Sequence, residues 1–178
     1  MQKQVREKRY TMNNKLTRKD IEKMEEEIFH RVTVERPRLL EIVKEARAQG
    51  DLSENFEYHA AKRDKNRNES RIRFLERMIK TATIIEDNTS ENEVGINKKV
   101  TIYVPEDDEE ESYVLVSTMR QDSLKGLISV ESPLGKALMR HKVGDTVNVR
   151  VNADYSYPVV IRKIEESDEG ENASLRNF

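Results

Sequence analysis

Cysteine and tryptophan are absent from this chain, and histidine occurs only at His30, His59 and His141. The missing thiols exclude disulfides, thiolate metal sites and a cysteine nucleophile, and nothing here opposes a reducing compartment. The three imidazoles are too scattered for the spacing that metal-binding histidines adopt. Glycine is sparse and nowhere gathered into a phosphate-cradling loop, and no Gly-x-Ser-x-Gly occurs. No apolar run approaches the length needed to cross a bilayer. The first fifteen residues are basic but contain no apolar stretch, so they do not read as a secretory signal. A cytoplasmic protein with no membrane partner is expected.

Apolar residues are also scarce. They make up 35% of the 178 positions and charged residues 37%, where ordinary chains carry about 45–50% and about 25%. That is too little for one thick core. It suits long helices packed along a narrow seam beside a compact second unit. Net charge is −2, so any surface for nucleic acid must be a local patch.

Residues 1–15 show no periodicity and are expected to form a flexible extension. Order should begin at Leu16, with Thr17 and Asp20 forming a capping box and Leu16 stapling against Ile21. An apolar stripe then runs through Ile21, Met24, Ile28, Val32, Leu39, Ile42 and Ala46, with Glu35 as its polar member and Pro37 as a local bend. Gly50 stops this helix and Ser53 starts the next. The second stripe reads Tyr58, Ala61, Lys65, Asn68, Ile72, Leu75, Ile79 and Ala82. Laid antiparallel, the two stripes pair Met24 with Ile79, Ile28 with Leu75, Val32 with Ile72 and Glu35 with Asn68. That register puts residues 50–53 at the tip of a coiled-coil hairpin spanning 16–85. At ~1.5 Å per residue its arms reach roughly 45 Å. Because the hairpin closes its own seam, a monomer is expected.

Residues 86–98 lose periodicity and read as a linker. From 99 to 165 short β-branched runs at 100–104, 113–116, 127–130, 146–151 and 158–161 predict strands. Ser132 and Pro133 open a short helix among them. Residues 166–178 are expected to be an acidic, disordered tail, the acids running from Glu165 through Glu166, Asp168 and Glu169 to Glu171. The fold class is therefore α+β: an N-terminal antiparallel helical hairpin followed by a β-rich domain with a short helix.

The chemistry concentrates at the tip, Gly50-Asp51-Leu52-Ser53-Glu54-Asn55. Two carboxylates on an exposed turn supply too few oxygens to hold Mg²⁺ alone. Delivered into another protein's active site, Asp51 and Glu54 can complete a metal's shell and orient a water for attack on phosphate. The plainer reading is also available, since Asp, Ser and Glu are ordinary helix-start residues. Behind the tip, residues 59–80 carry eight bases (Lys62, Arg63, Lys65, Arg67, Arg71, Arg73, Arg77 and Lys80) against three acids (Asp64, Glu69 and Glu76). Such a stripe can hold RNA or DNA phosphates, or simply face solvent. Phe56 lies off the seam and can stack on a base.

The run from Glu45 to Lys62, with Gly-Asp-Leu-Ser-Glu-Asn at its centre, closely resembles the signature of the bacterial Gre transcript-cleavage factors, and is similar to the GreA branch more than to GreB. A second stretch, Leu127 to Leu138, is similar to the segment of that family's C-terminal domain that contacts RNA polymerase. The resemblance covers residues 12–165. It implies an FKBP-like C-terminal domain that grips the polymerase, and a coiled coil that enters the polymerase secondary channel. It assigns Asp51 and Glu54 to the polymerase's second Mg²⁺ during cleavage of backtracked RNA, with no cofactor bound by the chain alone. Ser53, Asn55 and Phe56 would shape the tip. Lys62, Arg63, Lys65, Arg67, Arg71 and Arg73 would hold the RNA 3′ end, and Glu131, Ser132 and Pro133 would contact the channel rim. Phe56 departs from the family, which carries a small residue there.

Three other readings remain beside this transcription elongation factor. They are an inhibitory paralogue that fills the channel without cleavage, a prolyl isomerase or chaperone with a helical arm, and a generic coiled-coil nucleic-acid binder.

Overall fold

The computed structural model describes residues 14–48 and 55–176. Residues 1–13 of the expected extension, and 49–54, which carry Gly50, Asp51, Leu52, Ser53 and Glu54, lie outside the described residues.

The chain enters through a short strand β1 (Asn14–Leu16) and then helix α1 (Arg18–His30). The Thr17–Asp20 capping box is present, with each residue's side chain accepting the other's backbone N–H. A π-helical turn, Arg31–Glu35, joins α1 to α2 (Arg36–Ala48). Its cause lies just beyond it. Pro37 has no N–H to donate, and its ring crowds the carbonyl of Thr33, so the ladder widens to accommodate it. Helix α3 (Phe56–Lys80) returns along the first arm. Numbering falls on α3 as it rises on the first arm: Glu27 meets Arg71, Arg36 meets Glu69 and Ala46 meets Asn55. The pairing is antiparallel.

Met24, Leu39, Ala46, Ala61, Ile72 and Leu75 are buried as their periodicity requires, whereas Ile42 stays 38% exposed. The polar layer differs from the expectation. Asn68 does not face Glu35; its amide exchanges hydrogen bonds with Arg31, accepting from Nη1 at 3.1 Å and donating to the backbone carbonyl at 3.4 Å. Glu35 pairs with Arg38 on its own arm. A π turn holds more residues than an α turn, so it rotates the stripe that a uniform helical period projects across it.

Helix α3 ends at Thr81 and the chain enters β2 (Ala82–Ile84), which pairs in parallel with β1. The base of the hairpin is thus closed by a two-stranded sheet that includes Asn14 and Lys15, residues assigned above to the flexible extension. Neither strand is long enough for alternation to reveal it.

The β half is one five-stranded sheet, ordered β5-β4-β3-β7-β6. It is built from β3 (Lys98–Val104), β4 (Glu109–Val116), β5 (Leu127–Ser129), β6 (Thr146–Arg150) and β7 (Ser156–Glu166). All pairs are antiparallel except β4 with β5. Strand β3 buries every second residue, and Val100, Ile102 and Val104 join Val147, Val149, Val159 and Ile161 in the main core. Helix α4 (Pro133–Leu138) inserts Leu138 into that core. It lies so close to β5 that a Cβ on Gly135 would collide with the Ser129 carbonyl.

Two expectations are corrected in this half. Residues 86–98 are not merely a linker, because Val94 and Ile96 are core members and Lys98 is buried, its ammonium bonded to the Ser90 and Glu93 carbonyls. The acidic tail is not structureless: residues Glu169–Asn172 form a short helix α5 against β4, and the segment beyond it reaches the hairpin base.

Candidate functional site

The ends of α2 and α3 nearest the tip are tied together by Asn55. Its Oδ1 accepts from the Tyr58 N–H at 2.9 Å as the cap of α3, while its Nδ2 donates to the Ala46 carbonyl of α2 at 2.8 Å. One amide thus satisfies an orphan donor at one helix start and an orphan acceptor at the other helix end. The segment 49–54 is strung between these two fixed points. A carboxylate in place of this amide could do the first job and not the second, which is why the residue type matters. Sequence patterning identifies Asn55 as a tip residue but does not reveal the second bond.

Phe56 begins α3 and is 87% exposed. Tyr58, two residues on, is half-buried and packs edge-on to His59 with ring centroids 5.6 Å apart, and Lys62 Nζ lies 5.9 Å from its ring centre. An exposed aromatic and a basic side chain over a second aromatic suit base stacking and phosphate contact.

The basic stripe divides in two. Lys62, Arg63, Arg67 and Arg73 are exposed. Of these, Arg67 makes a loose pair with Asp64 at 3.7 Å and Arg73 reaches the Ser70 hydroxyl at 3.2 Å. Lys65 is half-buried. With His59, Asn66 and Ser70, several of these cations line an open groove along α3.

Arg71 also lines this groove, but it differs from the exposed cations in its burial and partners. It is 8% exposed and grips Glu27 with two parallel bonds of 2.9 Å, and its Nη1 donates to the Arg176 carbonyl at 2.9 Å. Its guanidinium also lies 5.6 Å from the Phe74 ring centre. Burial pushes the Glu27 carboxyl up, but the hydrogen bonds from Arg71 and Arg31 outweigh it and hold the group below its usual range. Arg71 is a structural cation of the helix pair, and its assignment to RNA is withdrawn. Charge counting along a sequence does not separate a buried fork from a solvated one.

At the other end of the molecule, the three rim residues play unlike parts. Glu131 is paired within the chain, to Lys15 at 2.7 Å and Lys136 at 3.2 Å. Burial raises its carboxyl, and those two ammonium groups more than compensate, so it sits below the usual range. Ser132 caps α4, accepting from the Gly135 N–H at 2.9 Å. Pro133 occupies the first turn of α4 and is exposed. Because Lys15 belongs to β1, Glu131 also ties the β half to the hairpin base.

Sequence reasoning missed a second tie between the two halves. Arg120, 3% exposed, ion-pairs through Nε with Asp20, which is fully buried. The carboxylate that completes the α1 capping box is therefore also the anchor of the β half. Among the described residues no cluster of three or more potential ligands could hold a metal ion, and no helix is long and apolar enough to cross a membrane.

Both halves match known proteins. A family model for the N-terminal part of transcription elongation factors, GreA_GreB_N, matches residues 14–84, and one for the GreA/GreB C-terminal part matches residues 89–166. The transcription elongation factor GreA of Macrococcus caseolyticus is 46% identical over 134 residues, 75% of this chain and 85% of that protein. GreA of Streptococcus pneumoniae serotype 19F is 41% identical over 162 residues, 90% of this chain and 98% of that protein. The solved GreA factor homolog 1 of Thermus thermophilus is 27% identical and covers 86% of this chain and 99% of its own, with a TM-score of 0.40, too low to speak to the arrangement of the halves.

Proposed function

Since the chain belongs to the GreA/GreB family of transcription elongation factors, we propose that it lends two tip carboxylates to RNA polymerase and so stimulates the polymerase's own cleavage of backtracked RNA. The observation that carries this reading is the tip sequence Gly50-Asp51-Leu52-Ser53-Glu54-Asn55 strung between two helix ends that Asn55 locks together.

In this reading the hairpin is a stiff prong that enters the secondary channel of the polymerase in the cytoplasm. Asp51 and Glu54 present hard oxygen donors, and Ser53 and Asn55 hold the segment in shape. Asp51 and Glu54 would help hold the polymerase's second Mg²⁺, which would supply Lewis acidity toward a water and the phosphate. Two carboxylates are too few to retain that ion unaided, so the chain has no cleavage activity alone and acts as a protein cofactor. Lys62, Arg63, Lys65, Arg67 and Arg73 face the extruded RNA 3′ end, and exposed Phe56 offers a stacking surface. The β half, FKBP-like as the family resemblance implies, grips the channel rim through Pro133 and the surface around Glu131 and Ser132. The chain acts as a monomer.

The test is direct. Added to backtracked elongation complexes with Mg²⁺, the protein shortens the transcript from its 3′ end. Asp51→Asn or Glu54→Gln abolishes that shortening and leaves polymerase binding nearly unchanged. Shortening by the variants at the wild-type rate would refute the assignment of the acids and favour a generic nucleic-acid binder.

A further inference from the structure

Beyond Glu166, where the C-terminal family model ends, the chain continues into a segment that touches both halves of the molecule. Gly170 is buried against β4, and a Cβ there would meet Val116 Cγ1 at 3.0 Å, Val114 Cγ1 at 3.3 Å and Asn97 Oδ1 at 2.9 Å. Ala173 packs on the cluster formed by Val114, Val116 and Leu127. Those contacts belong to the β half.

The remaining contacts reach the hairpin. Leu175 joins the apolar cluster of Leu16, Met24, Leu75 and Met78, to which the β half contributes Met119. The Arg176 carbonyl accepts from Arg71 of α3 at 2.9 Å, and the Arg176 N–H donates to the Met119 carbonyl at 2.7 Å. Lys19 of α1 pairs with the Glu171 carboxylate, and Lys23 reaches the Glu171 carbonyl at 3.4 Å. At the centre, Arg120 of the β half, already paired with Asp20 of α1, donates Nη1 to the carbonyls of Gly170, at 2.9 Å, and of Glu171. The buried guanidinium therefore takes its acceptors from the hairpin and from the tail.

From this we infer that residues 167–176 are an intramolecular strap rather than a loose end, which docks across the junction and fixes the angle between prong and β half. What occupies the junction is this chain's own segment, and what it brings there is mainly backbone carbonyls, a glycine and Leu175, with the Glu171 carboxylate on Lys19. A buried cation that needs carbonyl acceptors, and an apolar cluster open on one side, are both completed by it. Releasing the strap leaves Arg120 with Asp20 alone and exposes the Leu175 side of the Met119 cluster, so the two halves lose a shared brace.

The inference concerns the chain by itself and stands apart from the cleavage reading. Because the chain has no cysteine, two can be introduced cleanly, at exposed Arg47 on α2 and at exposed Asp107 between β3 and β4, and spin-labelled. The full chain gives one narrow distance distribution. A chain ending at Ser167 and the full-length Gly170→Val variant, which crowds Val114 and Val116, both give a distribution at least twice as broad, with far-UV circular dichroism close to that of the full chain. Glu171→Gln, which alters only the exposed pair with Lys19, stays narrow. In hydrogen exchange the Arg176 and Ala173 amides of the full chain are slowed at least tenfold relative to a free peptide of the same sequence. Equal widths in all four proteins, or tail amides exchanging at the free-peptide rate, overturn the strap. Should the truncated chain fail to fold, Gly170→Val carries the same test.

Discussion

Asp20→Asn isolates the ion pair at the junction, because it preserves shape and removes one charge. Asp20 is fully buried, its Oδ2 accepts the Thr17 N–H at 2.8 Å, and its other oxygen takes Arg120, itself 3% exposed. An amide cannot serve both sides. Turned with oxygen toward Thr17, it points a donor at the guanidinium and leaves a buried cation unpaired, which costs about 3–5 kcal/mol. Turned the other way it loses the reciprocal capping-box bond from the Thr17 N–H, which adds ~1 kcal/mol. The loss is thus a large fraction of the roughly 5–15 kcal/mol that holds an ordinary domain folded. In urea, with a slope of ~2 kcal/mol/M, it moves the midpoint down by about 2 M. Replacing both partners, Asp20→Asn with Arg120→Met, leaves no buried charge and recovers part of the loss, so the cycle shows a coupling above about 1 kcal/mol. A midpoint that moves by less than ~0.5 M in Asp20→Asn, or single effects that simply add, would refute a shared buried pair between α1 and the β half.

Three further outcomes follow from individual contacts. Glu27 is held below its ordinary value of 4.5 by Arg71 and Arg31, so its contribution is fully present above that value and is lost as pH falls through the lower folded one; the urea midpoint of the wild type therefore drops more between neutral pH and about pH 3 than that of Glu27→Gln, and equal drops would contradict it. Asn55→Ala loses about 1 kcal/mol from the cap of α3 in thermal unfolding, whereas Asn55→Asp keeps that cap, lacks the donor to Ala46, and lowers transcript cleavage more than stability; an Asn55→Asp variant that cleaves like wild type speaks against the clamp. Gly135→Ala drives a methyl into the Ser129 carbonyl and costs on the order of 1–3 kcal/mol by overpacking, read as a lower melting temperature with far-UV signal retained; an unchanged melting temperature means that α4 does not sit against β5.

The hairpin was legible because a long amphipathic stripe repeats itself. Met24, Leu39, Ala61, Ile72 and Leu75 each fall where the helical period places them, and Thr17 with Asp20 marks the start of α1. The register across Pro37 was not legible, since a uniform helical period does not register the π turn that Pro37's missing N–H and crowding ring produce. Val94 and Ile96 stood singly among polar residues, so no periodicity marked them, yet both are core. Partners far apart in the chain leave no local trace at all: Arg120 lies 100 positions from Asp20. The tail misled for a related reason, because its acids suggest solvation while it is held largely by carbonyls and by Gly170 and Leu175. Of the site, the tip motif and the exposed bases could be read from sequence, and the buried fork of Arg71 could not.

The central claim is that Asp51 and Glu54 act only as carboxylates carried to another machine's metal, while the rest of the chain does the binding. A competition experiment addresses it most directly: the Asp51→Asn, Glu54→Gln double variant is titrated against a fixed amount of wild-type protein on backtracked elongation complexes, and transcript shortening is followed. The account predicts that the variant, inactive itself, halves the rate when it equals the wild type in concentration. A variant that shortens the transcript, or one that leaves the wild-type rate untouched at large excess, would contradict it.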